Sequence, residues 1–167
     1  YNLNDYTYSM KWDTLDDDKQ ADMLEYYKGL IAFRSEHPAL RMTTTEDIEA
    51  NLAFMDVEQK NVVAYTIANS PNGEKAKNIM VIYNGNEEAV DLTIPEGKWH
   101  VYINGEKAGT EVLDTVEGTV NVAGISAVVL VQEGANVALI VGIIIAAVAI
   151  LAGVGIFVST KKKAKKA

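Results

Sequence analysis

The chain has 167 residues, no cysteine and a formal charge of −8, so a disulfide framework and a thiolate metal site are excluded. The charge is uneven, because all 23 acidic residues but only ten of the 15 Lys and Arg precede residue 137, which leaves −13 on that part. Such an acidic surface offers phosphate no basic face and argues against a nucleic-acid partner.

Tyr1 to Trp12, YNLNDYTYSMKW, has neither a helical nor a strand period and reads as a loop. Aromatic and amide side chains in a loop suit sugar contacts, although loop tyrosines more often serve packing. Asp13 to His37 reads as an amphipathic helix. Asp16, Asp17 and Asp18 supply an N-cap and negative charge at the positive end of the helix dipole. Met23, Tyr26, Tyr27, Leu30, Ile31 and Phe33 recur at helical spacing and make a broad apolar face. Gly29 costs about 1 kcal/mol there against Ala, which points to a close packing contact. Pro38 forces His37 out of the α region and stops the helix. The aspartate run lacks the glycine turn and the spacing of a calcium loop, so capping is the better reading. His37 reads as a helix C-cap or loop contact.

From Ala39 the period changes. Leu52–Met55, Val62–Ala68, Ile79–Tyr83, Ala89–Ile94, Trp99–Ile103, Thr110–Asp114, Thr119–Val122 and Ala127–Val131 are short apolar or alternating runs. Turn sequences such as Asn69-Ser70-Pro71-Asn72-Gly73, Asn84-Gly85-Asn86 and Asn104-Gly105 separate them. Eight short strands at this spacing predict an antiparallel β-sandwich. Trp99, Tyr65 and Tyr83 offer either a sugar platform or packing, of which packing is the commoner use.

Val137 to Val158 is 22 residues without a charge. As a helix it would cover about 33 Å, enough to cross a bilayer core. It has no polar stripe of the kind a soluble helix shows. Lys161, Lys162, Lys163, Lys165 and Lys166 follow, and the positive-inside rule places that tail in the cytoplasm and the sandwich outside. The expectation is a single-pass cell-membrane protein with membrane lipid as a partner. An outward-facing domain of this kind needs an export signal. A start at Tyr1 with neither methionine nor signal sequence therefore predicts the C-terminal piece of a longer protein.

Chemistry-bearing patterns are scarce. There is no G-x-S-x-G elbow and no H-E-x-x-H. A glycosidase needs two carboxylates at a set separation across a cleft, and the acids here fall in a helix cap, in turns and on strand faces.

Two groups of motifs carry a resemblance. Tyr26-Tyr27-Lys28-Gly29-Leu30-Ile31-Ala32-Phe33-Arg34-Ser35-Glu36-His37-Pro38-Ala39-Leu40-Arg41 resembles the YYKGLIxLRxxHPAFR segment of type I pullulanases, in the α-amylase superfamily of glycoside hydrolases. Val81–Asn84, Leu92–Trp99 and Gly124–Val131 are similar to the VIYNAN, LPEGxW and GxSAxVLV stretches of the C-terminal β-domain of those enzymes. The opening loop resembles SYxSPDxxNxIDW, with Tyr1, Asp5 and Trp12 matching and Leu3, Asn4, Tyr8 and Lys11 departing.

The resemblance implies a mainly β chain. Residues 1–38 would end a catalytic (β/α)8 barrel as its last loop and helix. Residues 39–133 would form the C-terminal β-sandwich, and the hydropathy reading adds 137–158 as the transmembrane helix and 159–167 as the lysine-rich tail. The implied parent is a pullulanase acting on α-glucan (pullulan, starch or glycogen), with its catalytic carboxylates outside this chain. Tyr1, Asp5 and Trp12 are the implied substrate contacts. No cofactor or metal is implied here, and a calcium site elsewhere in the parent stays open. The alternative is a non-catalytic, membrane-anchored sandwich that binds glucan or acts as a spacer.

Overall fold

A computed structural model describes residues 8–134. Tyr1, Asp5, the expected anchor Val137–Val158 and Lys161, Lys162 and Lys163 lie outside the described residues. Among the described residues no helix is long and apolar enough to cross a membrane.

Eight strands follow two α-helices, α1 at Asp18–Glu36 and α2 at Thr45–Asn51. The strands are β1 Leu52–Phe54, β2 Val62–Ile67, β3 Ala76–Asn84, β4 Val90–Thr93, β5 Trp99–Ile103, β6 Asp114–Val116, β7 Thr119–Val122 and β8 Ser126–Glu133. They form a six-stranded sheet of order β1-β2-β3-β8-β5-β6 and a two-stranded sheet β4-β7. All pairs are antiparallel.

Alternation along the strands assigns the two faces. Val62, Ala64, Met80, Ile82, Val101, Val128 and Leu130 turn toward the small sheet and meet Leu92, Val120 and Val122. Ile67, Ile79, Val81, Ile103, Val129 and Val131 turn the other way and meet Phe33 and Ala39. The central strands are therefore buried on both faces, and β3 runs Ile79-Met80-Val81-Ile82 without an exposed position. The predicted sandwich is present, with α1 as a third layer over the larger sheet.

The helix begins later than the expected Asp13. Trp12–Asp16 is a 3-10 turn, and Asp17 is the N-cap, accepting the Lys19 N–H at 3.0 Å. The helix ends where proline dictates. His37 is extended at φ −103°, ψ 91°, the geometry that a following proline enforces, and Pro38–Arg41 forms a second 3-10 turn.

Two elements differ from the sequence reading. Helix α2 was not anticipated; its Thr44 hydroxyl accepts the Asp47 N–H at 3.1 Å, with Glu46 and Asp47 in the first turn. That is an N-cap signal which the change to short apolar runs masks. The sixth strand lies at Asp114–Val116 rather than Thr110–Asp114, because the chain after Gly109 rejoins β5 only where Leu113 N–H reaches Val101 O, 2.7 Å away.

Gly29 is where α1 presses on the sheet layer. A Cβ there would sit 1.9 Å from the Ala108 carbonyl oxygen, so the helix must move if a side chain is added. Gly29→Ala should cost about 1–3 kcal/mol by overpacking, against the roughly 1 kcal/mol that Ala gains in helix propensity. Urea unfolding followed by circular dichroism measures this, and a variant more stable than the parent would show that the contact does not bind the helix.

Candidate functional site

Of the three expected substrate contacts, Trp12 alone is described. It stands 69% exposed on its 3-10 turn, which Thr14 steadies by donating from both N–H and Oγ1 to Lys11 O. Trp99 packs instead of binding. It is 1% exposed between the sheets, and its indole N–H donates to Pro95 O at 2.9 Å. A buried indole needs such a partner, and this one removes Trp99 from any sugar platform.

The strand aromatics that reach the surface lie on the helix-side face of the large sheet. Strand register places Phe54 opposite Tyr65 and Val63 opposite Tyr83. Phe54 is 72% exposed and meets the Tyr65 ring edge-on, with centroids 5.9 Å apart. Ile125, on the turn before β8, adds an exposed aliphatic side chain at φ +48°. Sequence reasoning missed Phe54 and Ile125. A three-residue edge strand and a single isoleucine in a glycine turn show no period that marks them as surface.

Helix α1 continues this apolar area. Tyr26, Gly29, Leu30 and Phe33 face the sheet, and the Tyr26 hydroxyl donates to Asn104 O at 2.8 Å. Met23, Tyr27 and Ile31 repeat every fourth residue on the outer side and are all exposed. The broad apolar face read from the sequence is thus two faces, one buried and one open. Exposed apolar area of this kind marks interaction surface.

His37 is the helix C-cap, donating its N–H to Phe33 O at 3.0 Å. Its ring Nδ1 lies 3.2 Å from Glu74 Oε1, and both side chains are buried. Glu74 sits in what reads as an ordinary turn, so nothing in the sequence links it to His37. Among the described residues no group of three His, Asp or Glu is placed to hold a metal.

Three tyrosine hydroxyls are harder to ionise than usual. Burial raises Tyr26. Burial, then the charges of Glu133 and Glu36, raise Tyr102. Tyr65 is pushed up to about 12, first by burial and then by its neighbour Tyr83.

An antiparallel β-sandwich domain with a helix packed on its larger sheet is the class that these features define. Residues 48–107 match the family described as "Pullulanase, all-beta domain". The chain is 25% identical over 130 residues to the pullulanase of Bacillus subtilis (strain 168), covering 78% of this chain and 18% of that protein. It is 32% identical over 95 residues to an isoamylase of a Flavobacterium species, covering 46% of this chain and 12% of that protein. The structure of the Bacillus acidopullulyticus pullulanase superimposes with a TM-score of 0.74 at 36% identity, over 79% of this chain and 16% of that one. A pullulanase from Anoxybacillus sp. LM18-11, complexed with maltotriose, gives 0.67 at 25% identity, over 79% of this chain and 18% of that one. The chain thus spans less than a fifth of the length of each of these relatives.

The Tyr65 shift has a sign. The folded state binds the phenolic proton more tightly than the unfolded chain, whose tyrosine titrates near 10. That contribution to stability is whole below about pH 10 and is lost as pH rises toward about 12. Tyr65→Phe should therefore flatten the fall in unfolding midpoint between those limits. An unchanged alkaline slope in the variant would sink this assignment.

Proposed function

We propose that this chain is a part of a cell-surface α-glucan debranching enzyme of pullulanase type, which hydrolyses α-1,6-glucosidic linkages by the retaining route. The carrying observation is the superposition on the Bacillus acidopullulyticus pullulanase, at 36% identity over 79% of the chain. The match includes the helix as well as the sheets, since the sheets alone fall short of that coverage.

The catalytic carboxylates are assigned to residues outside this chain, because the acids of its sequence fall in a helix cap, in turns and on strand faces and form no recognisable pair. The role of this part is support. Its sheet carries α1, and α1 turns Met23, Tyr27 and Ile31 outward, where the remainder of the parent would cover them. Burying such side chains is worth about 1.5–3 kcal/mol each, a strong drive to dock. In the resembling enzymes the cover is the catalytic barrel. Tyr1, Asp5 and Trp12 are proposed to touch α-glucan at the edge of that barrel. Carriage of maltotriose by an Anoxybacillus relative supports that substrate class.

Val137–Val158 is proposed as a single-pass anchor, with the sandwich outside and the lysine tail in the cytoplasm. The support is 22 uncharged residues followed by a lysine cluster.

Antibody raised against residues 8–134 and used on membranes of the producing cell should capture pullulan-hydrolysing activity, while the purified 167-residue chain releases no reducing ends. Capture of an intact, abundant antigen without activity would favour the non-catalytic spacer, and hydrolysis by the chain alone would overturn the placement of the carboxylates.

Protease added to intact cells should remove the sandwich and leave the tail attached to the membrane. A sandwich protected until the membrane is opened would reverse the topology.

A further inference from the structure

The loop between β2 and β3 is bent in an expensive way. Asn69, Ser70 and Asn72 all have left-handed backbones, with φ of 64°, 49° and 56°. Left-handed backbone at residues other than glycine persists where the surroundings impose it. Here the loop grips the chain just beyond α1. Asn72 Nδ2 donates to Pro38 O at 2.9 Å and to Arg41 O at 3.3 Å. Two residues on, the buried Glu74 carboxylate gathers four donors. Its Oε1 takes the Lys75 N–H at 2.8 Å, the Ala76 N–H at 2.9 Å and His37 Nδ1 at 3.2 Å, and its Oε2 takes the Ala39 N–H at 3.3 Å.

We propose that the Asn69–Glu74 loop is a clamp that sets the orientation of α1 on the sheet, with Glu74 as the group whose loss releases the helix while the sandwich stays folded. Three observations carry it. The donors that Glu74 accepts come from both sides of the joint: His37 and Ala39 from the helix exit, Lys75 and Ala76 from the start of β3. The helix exit is tied back on itself, since the Arg41 guanidinium donates to Arg34 O and the His37 ring lies 4.2 Å from the Phe33 ring. A shift at the clamp therefore moves the last helical turn as a unit. Beyond that, Phe33 is the one buried residue of α1, and it sits next to the clamp. The exposed stripe of Met23, Tyr27 and Ile31 runs along the same helix, away from the clamp. The angle at His37, together with the Tyr26 hydroxyl on Asn104 O and the Gly29 contact, sets where that stripe points. This inference stands whether or not the parent is a debranching enzyme.

Glu74→Gln keeps the shape but replaces one acceptor oxygen with a donor amide, so one of the donors is left facing another donor. Asn72→Gly keeps the left-handed backbone and removes the two bonds to Pro38 O and Arg41 O. Hydrogen exchange on the whole 167-residue chain in detergent reads the result. Exchange in α1 should rise roughly tenfold or more in Glu74→Gln, since bonds to a charged group are among the stronger ones, and to a smaller extent in Asn72→Gly. Amides of β3 and β8 should keep their rates. If helix and strands lose protection together, Glu74 is a general core support and the clamp is wrong. An α1 as protected as in the parent also overturns it. Should Glu74→Gln not fold, Asn72→Gly decides by the same comparison.

Discussion

A sheet that is apolar on both faces cannot stand alone. Strands β3 and β8 pair along eight positions, and over the central four, Ile79–Ile82 against Val128–Val131, side chains of both faces are buried; the rest of the fold answers that requirement. On one side β4 and β7 supply Leu92, Val120 and Val122. On the other, Phe33 and Ala39 come from the helix and its exit turn. Neither cover is large. The small sheet has two strands, and the helix spans one end of the face, which leaves Phe54, Val63 and Tyr83 in water. The open surface is thus the uncovered remainder of a two-sided core.

Much of this was legible in the residues. Short apolar or alternating runs located seven of the eight strands, the sixth falling at Asp114–Val116 instead of Thr110–Asp114, because strand side chains point to alternate faces and bury on one or both. Pro38 marked the helix end through its backbone geometry, and Gly29 marked a close approach through the absence of a side chain. What escaped was of another kind. The pairing of His37 with Glu74 joins positions 37 residues apart, and no local pattern records a partner at that distance. Which apolar helix residues turn inward and which outward was equally hidden, since Tyr26 and Tyr27 are the same residue type and only the sheet distinguishes them. Trp99 follows the commoner use of a large aromatic, packing, and its N–H needed only the Pro95 carbonyl to be at home in the core.

The likeness to pullulanases and the physical description meet at the helix. The sheets could support themselves with a smaller lid, but α1 carries apolar side chains that nothing within the described residues covers. Under the proposed function, cover for them comes from outside the described residues. The expected anchor and the expected sugar contacts Tyr1 and Asp5 stand outside the described residues and rest on sequence alone.

The order of the strands bears on how the protein is made. Asn84 pairs with Ser126, and Ala76 with Glu133, so the centre of the sheet closes only when the last strand has been synthesised. Until then β3 has a partner on one side, β2, and its run Ile79-Met80-Val81-Ile82 waits with an open edge. Contacts so distant along the chain form slowly, and apolar edges left unpaired during that time invite association with other chains. The nascent protein therefore passes through a long interval in which its most hydrophobic strand is its least protected one, and a chaperone that binds extended apolar segments would find its substrate there.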